Sequence, residues 1–332
     1  MFIDCFYPSK SEIAEPTSIN IDKAVTYLSQ GNIVALPTET VYGLAADGTN
    51  DLAIAKIYEF KNRPIFNPLI LHFADAESIK KHVHWHDIAD QLAKKFWPGP
   101  LTLVLNKKLD SNLSLLATAG LDTIGVRIPQ HKTTLEVIKS FGRPLAAPSA
   151  NPSESISPTS AQDVQQGFGI NRPLFILDGG RCSQGLESTI LDLTDLETPT
   201  ILRPGLITRE DLSDCLNRQV LDFKNILNKG SLKSPGQMQR HYAPQLPLRL
   251  NAQHVFPEEA LLAFGSALLE GAQKTLNLSE SQDLKEAAAH LFSMMRQLDQ
   301  SNFRGIAVMP IPSRGIGLAI NDRLQKAATS KI

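Results

Sequence analysis

The sequence predicts an α/β protein, with a mixed, curved sheet in the first part of the chain and a small α/β unit after it. Three observations lead there. Short apolar runs of strand length recur between residues 32 and 194 with fewer helical patterns between them, which favours a mixed sheet over a strictly alternating one. The pattern then breaks over 222–244 into a stretch rich in Gly, Ser and Pro and resumes as a new alternation of strands and helices. The 332 residues fit about two domains at roughly 150 residues each.

Ile21, Ala24, Val25 and Leu28 recur at helical spacing, with Ser18 or Asn20 as N-cap and Gly31 as the stop. NIVALP (32–37) follows as a strand closed by proline, and TETVYGLAADG (38–48) reads as a polar, glycine-bearing loop. Further strands are expected at PLILHF (68–73), LTLVLN (101–106), TIGVRIP (123–129), PLAAPSA (144–150), PLFILDGG (173–180) and STILDLT (188–194). Helical patterns occupy 53–60, 88–96 and 133–141. Residues 1–221 thus form one α/β domain, 222–244 an interdomain linker and 245–332 a small α/β domain. In the last of these, a helix over 284–298 places Ala288, Leu291, Phe292 and Met295 on one face. The strand GIAVMPIP and a final helix, IGLAINDRLQKAA, complete it.

Hydrophobic residues at 42% and charged residues at 20% exclude disordered, collagen-like and coiled-coil classes. Lys and Arg total 33 against 34 Asp and Glu, so there is no global basic excess and any polyanion site is a local pocket. Cys5, Cys182 and Cys215 are far apart without a CxxC pair, which encodes neither a disulfide framework nor a zinc site. With no apolar run of signal-peptide or membrane-spanning length, a cytoplasmic protein without a membrane partner is expected.

Lys61 and Arg63 stand one residue apart beside Pro64 at the end of a predicted helix. They can converge on one phosphate, or simply complement the helix dipole. Neither a Walker loop nor a GxGxxG turn is present, so a bound nucleotide would need another geometry. Ser149 and Asn151 follow an apolar run, with Ser153, Ser155 and Ser157 behind them, and this stretch is either a ligand-facing turn or a self-stabilised polar loop. Trp97 in FWPGPLT closes core. Arg127 inside the apolar strand TIGVRIP must point outward or meet an anion such as a carboxylate, which it can clamp through a bidentate pair. In SPGQMQRHYAP, the run Arg240, His241, Tyr242 suits a lid over a ligand or an interdomain contact strip. His72, His82, His84 and His86 lack a matching carboxylate pattern, and HVHWH reads as a surface feature rather than a metal cluster.

PTETVYGL, KNRPIFNPLILH, WPGPLTLVL, TAGLDTIGVRIP, AAPSANPSESISPTSAQDV, LDGG with GLESTI, ILRPG, SPG with RHYAP, and RGIGLAINDRLQKA follow one another along nearly the whole chain. In that order they resemble the YrdC-type threonylcarbamoyl-adenylate synthases, in the long form with an extra C-terminal domain. The resemblance implies a twisted, concave mixed-sheet domain and a small Rossmann-like second domain joined by an active-site linker. It implies synthesis of threonylcarbamoyl-AMP and pyrophosphate from L-threonine, bicarbonate and ATP, for the N6-threonylcarbamoyladenosine modification of tRNA. Thr38, His72, Arg127 and Ser188, with the backbone near Ala147, are implied for threonine. Lys61, Arg63, Thr123, Ser149, Asn151, Ser157, Arg203 and His241 are implied for ATP, with Lys61 and Arg63 the catalytic cations. Mg²⁺ is expected with ATP, without a protein ligand, and the product is expected to pass to tRNA threonylcarbamoyl transferase machinery. The motif departs from some relatives at Gln239, where they carry an aromatic residue. The rival readings are an RNA-binding module that uses Lys61, Arg63 and Arg203 on a concave face, and a carbamoyltransferase-related enzyme. The second would carry an acylphosphatase-like or zinc-finger segment, and none is read ahead of the matching stretch.

Overall fold

The computed structural model describes residues 6–222 and 241–329. Strands β1 (Ser11–Ala14), β2 (Val34–Leu36), β3 (Gly43–Asp47), β4 (Ile70–His72), β5 (Leu101–Asn106), β6 (Thr123–Arg127), β7 (Leu145–Ala146), β8 (Leu174–Leu177), β9 (Thr189–Asp192), β10 (Thr200–Arg203) and β11 (Leu221–Asp222) build one sheet. Its order is β1-β8-β2-β3-β7-β4-β6-β5-β9-β10-β11, and it mixes parallel pairs such as β4 with β6 and antiparallel pairs such as β5 with β6. Helices α1 (Ser18–Ser29), α2 (Asp51–Lys61), α3 (Ala76–Lys80), α4 (Asp87–Phe96), α5 (Lys132–Phe141), α6 (Ala161–Phe168) and α7 (Arg209–Leu216) accompany it. A second sheet of β12 (Leu248–Arg249), β13 (Glu259–Ala263), β14 (Lys274–Asn277) and β15 (Gly305–Val308) is parallel throughout, in the order β12-β15-β13-β14. It carries α8 (Leu284–Leu298) and α9 (Ile316–Ala328).

Alternation along the strands sorts the core. Ile33 and Ala35 enter one hydrophobic cluster and Val34 and Leu36 the opposite one; Leu174 and Ile176 are likewise separated from Phe175 and Leu177. The first cluster lies under α2, α4 and α6, the second under α1 and α5. The core of the second unit continues into the first, since Val41, Ile156 and Leu186 pack in the same cluster as Phe292 and Met295. Gly185, at φ 69°, permits this contact, because a Cβ there would lie 2.5 Å from the carbonyl oxygen of Ala289 on α8.

The structure departs from several sequence expectations. Thr17, not Ser18 or Asn20, caps α1, its hydroxyl accepting from the Asn20 amide. Part of TETVYGLAADG is strand β3, because small Gly43, Ala45 and Ala46 fit between neighbouring strands. PLAAPSA is strand only at Leu145–Ala146, beyond which Ala147, Pro148 and Ser149 line a hollow. Most of the expected linker, residues 223–240 including Gln239 and Arg240, lies outside the described residues. No described helix is long and apolar enough to cross a membrane.

Phe175 is fully buried on β8 with its ring edge-on to Tyr27 at 5.2 Å, so Phe175→Ala is expected to destabilise the protein by ~3–5 kcal/mol in urea unfolding. Leu109→Ala, at a fully exposed position, is expected to change stability by less than about 0.5 kcal/mol.

Candidate active site

Strand alternation carries the site. Leu69 just before β4, Leu71 on β4, and Ile124 and Val126 on β6 enter the main core, which turns His72 and Arg127, register partners, onto the other face. Thr102 on β5 reaches the same region, its hydroxyl 2.7 Å from that of Ser188 just before β9. Thr38 follows β2, and its hydroxyl donates to the Val41 carbonyl at 2.7 Å. Thr38, His72, Arg127, Ala147 and Ser188 line one hollow. Arg127 is buried and meets a carboxylate, as its place in an apolar strand requires: Nη2 donates to Glu39 Oε1 at 2.6 Å and to Thr40 Oγ1 at 3.1 Å, while Nε donates to the Gly99 carbonyl. The expected bidentate clamp on a ligand is therefore not open, because every such pairing uses Nη2 and its hydrogens go to Glu39 and Thr40; among the described residues only Nη1 is left without a hydrogen-bond partner. Burial, with Arg127 alongside, pushes the His72 imidazole down to about 3, and its Nδ1 is buried without a partner among the described residues.

Cations gather on the other side. Asn62 ends α2 in the left-handed region, φ 51°, and the chain turns inward there. Lys61 is 2% exposed and its Nζ donates to the carbonyls of Ser149 and Asn151, so it is no surface cap of its own helix. Arg63 donates from Nε to the Asn67 carbonyl and from Nη2 to that of Pro68. Arg203 donates to the Ser188 carbonyl and hydroxyl, each at 3.0 Å. Among the described residues no carboxylate forms an ion pair with Lys61, Arg63 or Arg203. Burial, reinforced by Arg63, holds Lys61 well below the usual lysine range, and burial brings Arg63 down to about 10. Lys61, Asn151 and Ser153 line an adjoining hollow, and Arg63, Ser149 and His241 line both.

His241 and Tyr242 pack between the two units. Tyr242 stacks on Phe292, ring centroids 5.4 Å apart, and the Ala243 amide donates to the Glu154 carbonyl. His241 is pushed well below its ordinary value by burial and by Arg63, Lys61 and Arg203. At this pair the structure combines both sequence readings, cavity wall and interdomain contact. Ser157 stands behind the wall, its hydroxyl donating to Glu187 Oε1 at 2.5 Å. Thr123 opens β6 on the face of Arg127 but lines neither hollow. His86 is the N-cap of α4 and His82 lies 3.2 Å from the Ser111 hydroxyl, so neither joins His72. Trp97 packs partly buried against the main core, its indole N–H donating to the Leu101 carbonyl.

Glu39, Glu187 and Arg323 were not singled out by sequence. The burial of Arg127 called for a carboxylate, but nothing local says that Glu39 supplies it. Glu187, in GLESTI, lines the hollow and accepts from Arg323 Nε at 2.9 Å, a partner 136 residues away. Burial raises the Glu187 carboxyl, but Arg323, Arg203 and the Ser157 hydroxyl outweigh it and hold it below the usual carboxylate range.

Fold and site together define an α/β protein whose mixed sheet sets a hydroxyl- and arginine-walled pocket beside buried cations. Residues 26–205 match the Sua5/YciO/YrdC family model described as "Telomere recombination", and 207–329 match "Threonylcarbamoyl-AMP synthase, C-terminal domain". The chain belongs to this family. It is 38% identical over 328 residues to the threonylcarbamoyl-AMP synthase of Bacillus subtilis, covering 94% of each chain. It is 36% identical over 329 residues to that of Pyrococcus abyssi, covering 93% of this chain and 94% of the other. The crystal structure of P. abyssi Sua5 complexed with L-threonine superposes with a TM-score of 0.85 at 33% identity, over 96% of both chains.

The depressed His72 has a consequence for pH. In the unfolded chain it takes a proton near its ordinary 6.5, in the folded chain only near 3, so its contribution is full above 6.5 and is lost as pH falls between them. Urea midpoints at pH 7 and pH 5 are expected to show a loss about 2 kcal/mol larger for the native chain than for His72→Gln. Equal losses would place His72 in water.

Proposed function

We infer that this chain is a threonylcarbamoyl-AMP synthase, an enzyme that joins L-threonine, bicarbonate and ATP and releases pyrophosphate. The observation that carries this reading is the contact of two chemistries: a hydroxyl-lined hollow around Arg127, and a set of buried cations without carboxylate ion-pair partners among the described residues, sharing Arg63, Ser149 and His241 as their common wall. The cations are too deeply buried for an RNA backbone to reach, which disfavours the nucleic-acid reading.

In this reading Arg127, steadied by Glu39, meets the threonine carboxylate through Nη1. Neutral His72 and the hydroxyls of Thr38 and Ser188 serve the remaining polar groups, and the Ala147 backbone closes the pocket. The threonine amine attacks the carbon of bicarbonate: a C–N bond forms, the C–OH bond breaks, and the hydroxyl leaves as water with an amine proton, which yields the carbamate. A carbamate oxygen then attacks the α-phosphorus of ATP and pyrophosphate leaves. Each step brings anions together, so Lys61, Arg63 and Arg203 contribute by positioning and by taking up charge. Ser149 and Asn151 border the phosphates, Ser157 acts through Glu187, and His241 covers both substrates, while Thr123 lies outside both hollows and is given no part. Mg²⁺ would accompany ATP and supply charge neutralisation at the phosphates, and Asn151 Oδ1, buried without a partner among the described residues, would suit a water of its shell. The adenylate then serves tRNA threonylcarbamoyl transferase machinery in the cytoplasm.

With ATP, Mg²⁺, labelled bicarbonate and L-threonine, the purified protein is expected to form a labelled adenylate and pyrophosphate; release of ADP and phosphate would refute the reaction type. Pyrophosphate release is expected to fall about tenfold with serine, and as far or further with valine, which leaves a buried hydroxyl partner unsatisfied. Arg127→Ala is expected to abolish use of all three, and wild-type threonine use by that variant would remove the pocket from the account.

A further inference from the structure

Arg323, on α9 of the second unit, is completely buried, yet it bonds across the interface to Glu187 on the wall of the substrate hollow. Its Nη1 donates to Asp322 at 2.7 Å and its guanidinium lies 5.2 Å from the centroid of the Tyr242 ring. Glu187 therefore has a settled place: Oε1 takes the Ser157 hydroxyl and Oε2 takes Arg323. The alternative lies close at hand. Arg203 bonds to Ser188, the residue after Glu187, and acts electrostatically on the same carboxylate, but forms no bond with it.

A buried carboxylate deprived of its cation seeks another, because an uncompensated charge in that setting is costly. Without Arg323, the next guanidinium for Glu187 is Arg203. Such a pair would neutralise one of the cations assigned above to the phosphates and place a negative charge beside them. We propose that Arg323 is a positioning residue, through which the second unit holds Glu187 away from Arg203 and keeps that arginine available to the nucleotide. The proposal rests on the reading of the cation cluster as the phosphate site. It gives the second unit a part in the site that its distance along the chain conceals.

The test is ATP binding by equilibrium dialysis, together with KM and kcat for pyrophosphate release, on the full chain. Arg323→Ala is expected to weaken ATP binding and raise its KM by about tenfold with a smaller change in kcat, the pattern of lost binding rather than lost chemistry. The decisive variant is Arg323→Ala combined with Glu187→Gln: with no negative charge left to capture Arg203, ATP binding is expected to return to within about threefold of the native value. Arg323→Lys, which keeps the charge, is expected to stay within a similar range. A double variant as weak as Arg323→Ala, or native ATP affinity in Arg323→Ala, overturns the proposal. Should Arg323→Ala not fold, a tenfold loss in Arg323→Lys that Glu187→Gln fails to restore overturns it equally. Failure of the native chain itself to bind ATP would instead strike at the assignment of the reaction.

Discussion

Burial of cations without carboxylate partners is the constraint around which the site is arranged. Lys61, Arg63 and Arg203 are taken out of water, and among the described residues their hydrogen bonds go to carbonyl and hydroxyl oxygens of Asn67, Pro68, Ser149, Asn151 and Ser188. Neutral dipoles orient such charges but do not cancel them, and in the proposed reading the phosphates of ATP supply the counter-charge. The large cores on both faces of the first sheet supply the stability against which that expense is carried.

Keeping those cations available depends on where the nearby carboxylates go. Glu39 is bound to Arg127 and also accepts from the Gln130 amide, and Glu187 is bound to Ser157 and Arg323. Each acid is held by a cation or donor other than the three in question. In the proposed reading the hollow offers Arg127 to one carboxylate and, next to it, the buried cations to phosphates. Catalysis by positioning needs such prior orientation, since reorganising dipoles during the reaction would consume what the charges contribute.

Much of the fold was legible because buried strands are apolar and short: NIVALP, LTLVLN and PLFILDGG become β2, β5 and β8. Strand β1 escaped notice because SEIA alternates weakly and is only half buried at an edge. Helix α6 was hidden in the serine-rich stretch, although its capping box of Ser160 and Asp163 was a readable sign. In the site, an arginine within TIGVRIP announced a buried anion, but the identity of Glu39 is a matter of tertiary packing. Taken alone, Lys61 and Arg63 read more readily as helix-end decoration than as phosphate ligands, because sequence shows the spacing of charges and not which way the chain turns after Asn62. The bond between Glu187 and Arg323 spans two units and had no local signal at all.

Central to this account is the claim that Lys61 sits desolvated beside Arg63 and gains its counter-charge only from a bound polyanion. Heteronuclear NMR of lysine-labelled protein, with Lys61→Met to assign the resonance, measures its titration directly. The account predicts that Lys61 titrates well below the usual lysine range in the free protein and moves upward when ATP is added. A Lys61 ammonium that titrates in the ordinary lysine range and ignores ATP would contradict it.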